Sequence, residues 1–136
     1  MIRVDHRPSV GLALAFVAAW LRRDLLVVDV EGSSMEPALA PGDRLLCSRR
    51  AELRRGAIVV RSPGNDGKYF IKRLVALPGD ERRGAKIPAG ACWIEGDNVS
   101  RSADSRHFGP VPVREIRAVA FALIGSRGVV DLRSVE

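Results

Sequence analysis

After Arg23 no stretch of this chain sustains the 3.6-residue apolar period of a long helix; short β-rich runs alternate with turn residues instead. Candidate strands cover Leu25–Val30, Arg44–Cys47, Ala57–Arg61, Tyr69–Val75, Ala91–Glu95 and Ile116–Ile124. Between them stand Pro41-Gly42-Asp43, the polar run from Ser62 to Gly67, and Pro78-Gly79-Asp80. Each combines a proline that presets φ with a glycine free to take positive φ and an Asp or Asn that bonds its own backbone. This pattern predicts a mainly β body, with one short helix near Met35–Leu39. With 136 residues, 46% of them hydrophobic, the chain is long enough for one packed core without metal or disulfide staples, and no linker divides it.

The N-terminal region differs. Residues 1–9 are polar, and Val10–Leu21 then gives twelve uncharged, mostly apolar residues closed by Arg22-Arg23. As a helix that run is about 18 Å long, short of the roughly 30 Å hydrocarbon core of a bilayer. No small-residue cleavage site follows it. An interfacial anchor, a locally mismatched span and a helix lying on the protein's own core all fit; membrane contact of some kind is the expectation. The net charge of +6 is carried mostly by paired arginines and suits an anionic lipid surface or nucleic acid, a generally basic solvated surface being the plainer reading. Aromatic residues at 5% argue against a base-stacking platform, so no nucleic-acid partner is expected. Cys47 and Cys92 lie in apolar runs and are expected to be buried free thiols. With His6 and His107 they are too scattered to form a zinc site, so no metal or other cofactor is expected.

Ser34 follows Gly32 and precedes Met35-Glu36-Pro37, on a bend that leaves the Ser34 and Met35 amides available to an oxyanion. Lys72 sits inside the run Tyr69-Phe70-Ile71-Lys72-Arg73-Leu74, where strand alternation gives it one face with Phe70 and Leu74. Burial there strips an ammonium of water and lowers its pKa. A neutral lysine can serve as the base that a serine nucleophile needs. The loop from Gly96 to Pro112 is dense in hydrogen-bonding groups. In it Asp104 and Arg106 can pair across a tight bend, and Ser102 can orient a neighbouring amine.

Three segments, Gly-x-Ser-Met-x-Pro, Phe-Ile-Lys-Arg-x-Val-x-Leu-Pro-Gly-Asp and Gly-Asp-Asn-x-x-x-Ser-x-Asp-Ser-Arg-x-x-Gly-x-Val-Pro, occur in that order between about Val28 and Pro112. Together they resemble the signature boxes of type I signal peptidases, Ser/Lys-dyad serine endopeptidases that release secreted proteins from their signal peptides. The resemblance implies a coiled β-sheet catalytic domain over 24–136, preceded by a polar segment and a short apolar membrane-associating helix over 1–23. It makes Ser34 the nucleophile, Lys72 the general base, and Ser102 the residue holding the lysine amine. Asp104 and Arg106 become a structural ion pair. Val30, Met35, Leu39, Phe70 and Ile71 match positions that line shallow pockets for small substrate residues. Asp97 and Asn98 fall in the same box in a supporting role.

The implied substrates are precursor proteins or propeptides cut after small residues. The implied enzyme is a monomer associated with a bacterial cell membrane, its site on the extracytoplasmic side; a cytoplasmic site is the alternative. The chain departs from the pattern in three ways. Gly32 stands where some members carry a second oxyanion hydroxyl. Only the fifteen residues Glu81–Glu95 separate the second and third boxes, and the apolar segment is short. This compactness is similar to small actinobacterial members, including proteases that trim nickel-type superoxide dismutase precursors. A dedicated maturation protease for such a precursor or for a bacteriocin-type leader is therefore the alternative function. Three rival readings compete: a Ser34-His107-Asp104 triad, a repressor-type autoprotease, and a non-catalytic basic binding module.

Overall fold

A computed structural model describes residues 10–133; the polar residues 1–9, with His6, lie outside the described residues. Helix α1 (Val10–Asp24) leads directly into β1 (Leu25–Asp29), which returns as β2 (Arg44–Ser48). Strands β3 (Ile58–Arg61) and β4 (Phe70–Ala76) follow, then a minimal ribbon of β5 (Glu81–Arg82) and β6 (Ala85–Lys86). Strand β7 (Ala91–Glu95), the one-turn helix α2 (Ser105–Phe108), β8 (Val111–Pro112), β9 (Ile116–Gly125) and β10 (Gly128–Asp131) complete the order.

The main sheet runs β1-β2-β9-β3-β4-β7-β8, with β10 added to β9 and every pairing antiparallel. The long strand β9 organises it, pairing β2, β3 and β10 in turn. Its register shifts, at Leu46/Cys47 against β2 and at Val60/Arg61 against β3, are the irregularities that let a sheet bend.

Both faces of the central strands are covered. Ile58, Val60, Ala118 and Ala120 pack on one side with Val28, Val30, Met35, Leu39 and Leu45. Val59 and Val119 pack on the other with Leu74, Cys92, Ile94 and Val111. This explains why β3 reads as an unbroken apolar run rather than an alternation. Each fully buried aliphatic side chain contributes roughly 1.5–3 kcal/mol relative to exposure. Cys47 and Cys92 are free and buried in separate clusters, and burial pushes their thiols up to about 12 and about 11.

The mainly β expectation holds, with three local differences. Helix α1 continues to Asp24, past the expected end at Leu21. The expected helix near Met35–Leu39 is a turn: a single i→i+4 bond from Leu39 N to Met35 O forms, and the Glu36–Pro37 peptide is cis. Strands β8 and β10 and the β5–β6 ribbon lie outside the expected strands, because none carries a long alternating pattern. The apolar side chains of α1 are exposed, from 40% at Leu21 to 78% at Val10, which removes the reading of a helix lying on the core. Among the described residues no helix is long and apolar enough to cross a membrane.

Candidate active site

Register places Lys72. Strand β4 pairs β3 with Lys72 opposite Val59, and pairs β7 with Arg73 opposite Glu95. Lys72 is 6% exposed and shares its face with the fully buried Leu74 and Val59. Burial holds its amine below the ordinary lysine pKa; the Asp104 carboxylate pulls the other way and the Arg106 guanidinium reinforces the lowering. Arg73 points to the opposite face, where its guanidinium grips Asp97 at 2.6 and 2.8 Å. That pair ties β4 to the start of the loop after β7.

The loop from Gly96 to Arg106 is built around Asp104, whose side chain is fully buried. Its carboxylate accepts from Ser102 Oγ at 2.6 Å, Gly96 N at 2.8 Å, Arg106 N at 3.1 Å and the Arg106 guanidinium at 2.6 and 2.9 Å. Burial opposes its charge, yet the Arg106 guanidinium, the Ser102 hydroxyl and the two amides together hold it well below the usual carboxylate range. Asp104 also caps α2, with His107 Nδ1 accepting from the Asp104 amide.

These bonds fix the polarity of the next one. An ionised Asp104 only accepts, so the Ser102 hydroxyl donates to it. The Ser102 oxygen then faces Lys72 as an acceptor, and Lys72 Nζ donates to it at 2.9 Å. A neutral amine spending an N–H on Ser102 keeps its lone pair for another proton.

Ser34 is carried to the same place by the turn after β1. Gly32 adopts φ +71°, the left-handed conformation that glycine takes without a steric penalty. The Ser34 carbonyl accepts from Asn98 N at 2.9 Å, and Asn98 Nδ2 donates to Ser33 O at 3.0 Å. Gly96 is where the two segments meet: a Cβ added there would run into the Ser102 side chain and lie 2.7 Å from the Ser34 carbonyl oxygen. Among the described residues the amides of Ser34 and Met35 donate to no other backbone acceptor.

Ser34 and Lys72 line one cavity of about 530 Å³, between β1 and its following turn on one side and residues 67–72 on the other. The hydrogen bond of Nζ runs to Ser102, and Ser34 and Lys72 both stand on the wall of the shared space. Val30, Met35, Phe70 and Ile71 are on this lining. Leu39 is not. At 1% exposure it packs in the core beside Met35, so the expectation that it lines the pocket is corrected: it supports the wall from behind. His107, its side chain 61% exposed, serves as an α2 cap and is absent from the cavity wall, which leaves the Ser34-His107-Asp104 arrangement unassembled.

Sequence reasoning missed Gly96 and the Arg73–Asp97 pair. Their signal was the Gly-Asp-Asn tripeptide, which did not reveal what each residue meets. The arrangement assembled here has the parts of an acyl-transfer site: a hydroxyl, a buried amine of lowered pKa, a hydroxyl that orients the amine, and amides available to an oxyanion.

A sequence profile described as signal peptidase, peptidase S26, matches residues 3–85 and 81–124. The chain is 39% identical to the mitochondrial inner membrane protease subunit 2 of Mus musculus, over 80% of this chain and 72% of that protein. It is 37% identical to the mitochondrial inner membrane protease subunit 1 of Xenopus tropicalis, over 67% of this chain and 64% of that protein. With the mitochondrial ATP-independent inner membrane protease subunit 1b of Arabidopsis thaliana it shares 39% identity, over 60% and 59% of the two chains.

Proposed function

Because the chain belongs to the signal peptidase, peptidase S26, family, we propose that it is a serine endopeptidase cleaving precursor polypeptides after small residues, with Ser34 as nucleophile and Lys72 as general base. The observation that carries the reading is the buried Lys72 amine, bonded to Ser102 and opening on the cavity that Ser34 lines.

In this mechanism the neutral Lys72 takes the Ser34 hydroxyl proton as Oγ bonds to the scissile carbonyl carbon. The carbonyl oxygen gains negative charge and is met by the Ser34 and Met35 amides. The C–N bond then breaks, and Lys72 gives its proton to the leaving amine. Water attacks the acyl-serine, passes a proton to Lys72, and releases the new carboxyl end as Ser34 recovers its proton. No step calls for a metal or an organic cofactor.

Among the described residues β1 pairs with β2 alone, and Val27, Val28 and Asp29 of β1 line the cavity, so its other edge suits an extended peptide laid beside it. Val30, Met35 and Ile71 narrow the lining next to Ser34, which favours small side chains near the scissile bond. The exposed apolar face of α1, followed by Arg22-Arg23, supports membrane association, as do relatives whose names place them at an inner membrane. We place the active site on the extracytoplasmic side of a bacterial membrane, acting on signal peptides or on a dedicated propeptide.

The test is cleavage of a precursor carrying Ala-x-Ala by the wild-type, Ser34→Ala and Lys72→Met proteins, with circular dichroism confirming the fold. Both variants should release no fragment; undiminished release by either one refutes the assignment.

A further inference from the structure

A second cavity, of about 540 Å³, adjoins the catalytic cleft and shares Gly67 and Tyr69 with it. Its wall includes Arg49, Arg114 and Arg117, and it contains no aspartate or glutamate. Nearby carboxylates are already engaged. Asp24 pairs with Arg50 at 2.7 Å, Glu115 with Arg61 at 2.8 Å, and Asp66 with Lys68 at 3.7 Å. Among the described residues Arg49, Arg114 and Arg117 carry no ion pair, so three arginines line one concave space without a paired counter-charge. The fold brings these three together: Arg49 follows β2, Arg114 lies just before β9, and Arg117 is near its start.

We propose that this cavity is a subsite for an acidic side chain of the precursor, and that it sets which precursors are selected. This rests on the peptidase reading above. The cavity shares wall residues with the cleft, and its wall includes Leu26 on β1, the strand that leads into Val30 on the wall of the cleft. Four strand residues span about 13 Å, so a chain extended along β1 from Ser34 brings a residue at least four positions from the scissile bond to the arginines. A carboxylate there receives the planar, two-pronged donors that guanidinium offers. Shared walls with the cleft favour the substrate over a lipid phosphate as the occupant.

The experiment walks a single glutamate, or glutamine as its neutral control, through each position of a labelled peptide carrying Ala-x-Ala. Binding to the Ser34→Ala protein is read by fluorescence anisotropy, and kcat/KM is read with the active protein. At one position at least four residues from the cut, glutamate should be preferred over glutamine by about tenfold, as for a charge-assisted guanidinium contact. The preference should fade at about 1 M salt. Joint Arg114→Gln and Arg117→Gln substitution should bring the ratio near one, and Arg117→Glu should turn the preference towards a lysine peptide. Equal binding of the two peptides at every position overturns the proposal. So does a variant that weakens both alike, or one that loses phosphatidylglycerol-vesicle binding while the peptide ratio stands. Cleavage that survives Ser34→Ala would refute the peptidase reading instead, so the two failures are distinguishable.

Discussion

Lys72 Nζ lies 2.9 Å from Ser102 Oγ, and that hydroxyl is committed at 2.6 Å to a carboxylate held ionised by Arg106. The chain of bonds has one direction, from amine to hydroxyl to carboxylate. It leaves the lone pair of a neutral Lys72 free to take a proton. In the proposed mechanism Ser102 acts through Lys72, and its part is to orient.

Ser102→Ala should therefore lower kcat by about 10²–10³-fold, the scale of a misplaced general base, with KM little changed. Losing one donor to the buried Asp104 should also cost about 1–3 kcal/mol of stability. Steady-state kinetics with chemical denaturation checks both; a KM effect with kcat intact would contradict an orienting role.

The acid limb of the kcat/KM profile should report Lys72. Its pKa is lowered by burial, so the limb should fall below the reference value of about 10.4. Arg106 contributes to that lowering and Asp104 opposes it, so removing the guanidinium removes a charge that disfavours the ammonium. Arg106→Gln should move the acid limb to higher pH. The same change leaves a buried carboxylate uncompensated and should cost about 3–5 kcal/mol. A limb that stays put, or moves down, contradicts the assignment.

Lys72→Met should be inactive yet more resistant to heat than the wild type near neutral pH. With its folded pKa lowered, Lys72 binds its proton more weakly in the native state than in the unfolded chain. The penalty is complete below the folded pKa. It diminishes as pH rises from there towards the unfolded value, where both states are neutral. The Tm gap between variant and wild type should accordingly narrow as pH approaches about 10.4, in a series of calorimetric scans.

Gly96→Ala should damage the site from below. The added methyl meets the Ser102 side chain and the Ser34 carbonyl, so one of the two segments must move. A shift of that kind in an oriented site costs about 10²-fold in rate, and overpacking costs about 1–3 kcal/mol. Activity and thermal melts of the alanine variant, beside a Gly11→Ala control on α1 where an added Cβ meets nothing, test whether the effect belongs to this junction.

The residues themselves decided the strand runs, their turns, the face that Lys72 takes on β4, and the order of the three boxes. Those properties are local: alternation of side chains, proline and glycine dihedrals, and residue type are written along the chain. Tertiary structure decided what meets across it. Leu39 and Met35 both carry apolar side chains on one turn, yet only Met35 reaches the cavity, because the turn closes over the core instead of continuing as a helix. Asn98 holds the Ser33–Ser34 backbone from far along the chain, and Gly96 matters because two distant segments converge on its missing side chain. Arg49, just past β2, joins Arg114 and Arg117, at the approach to β9 and its start, on one wall because β2 and β9 are sheet partners. Periodicity assigns a residue to a face of its own element; register and closure of the sheet choose its neighbours, and neighbours set burial, pKa and reach.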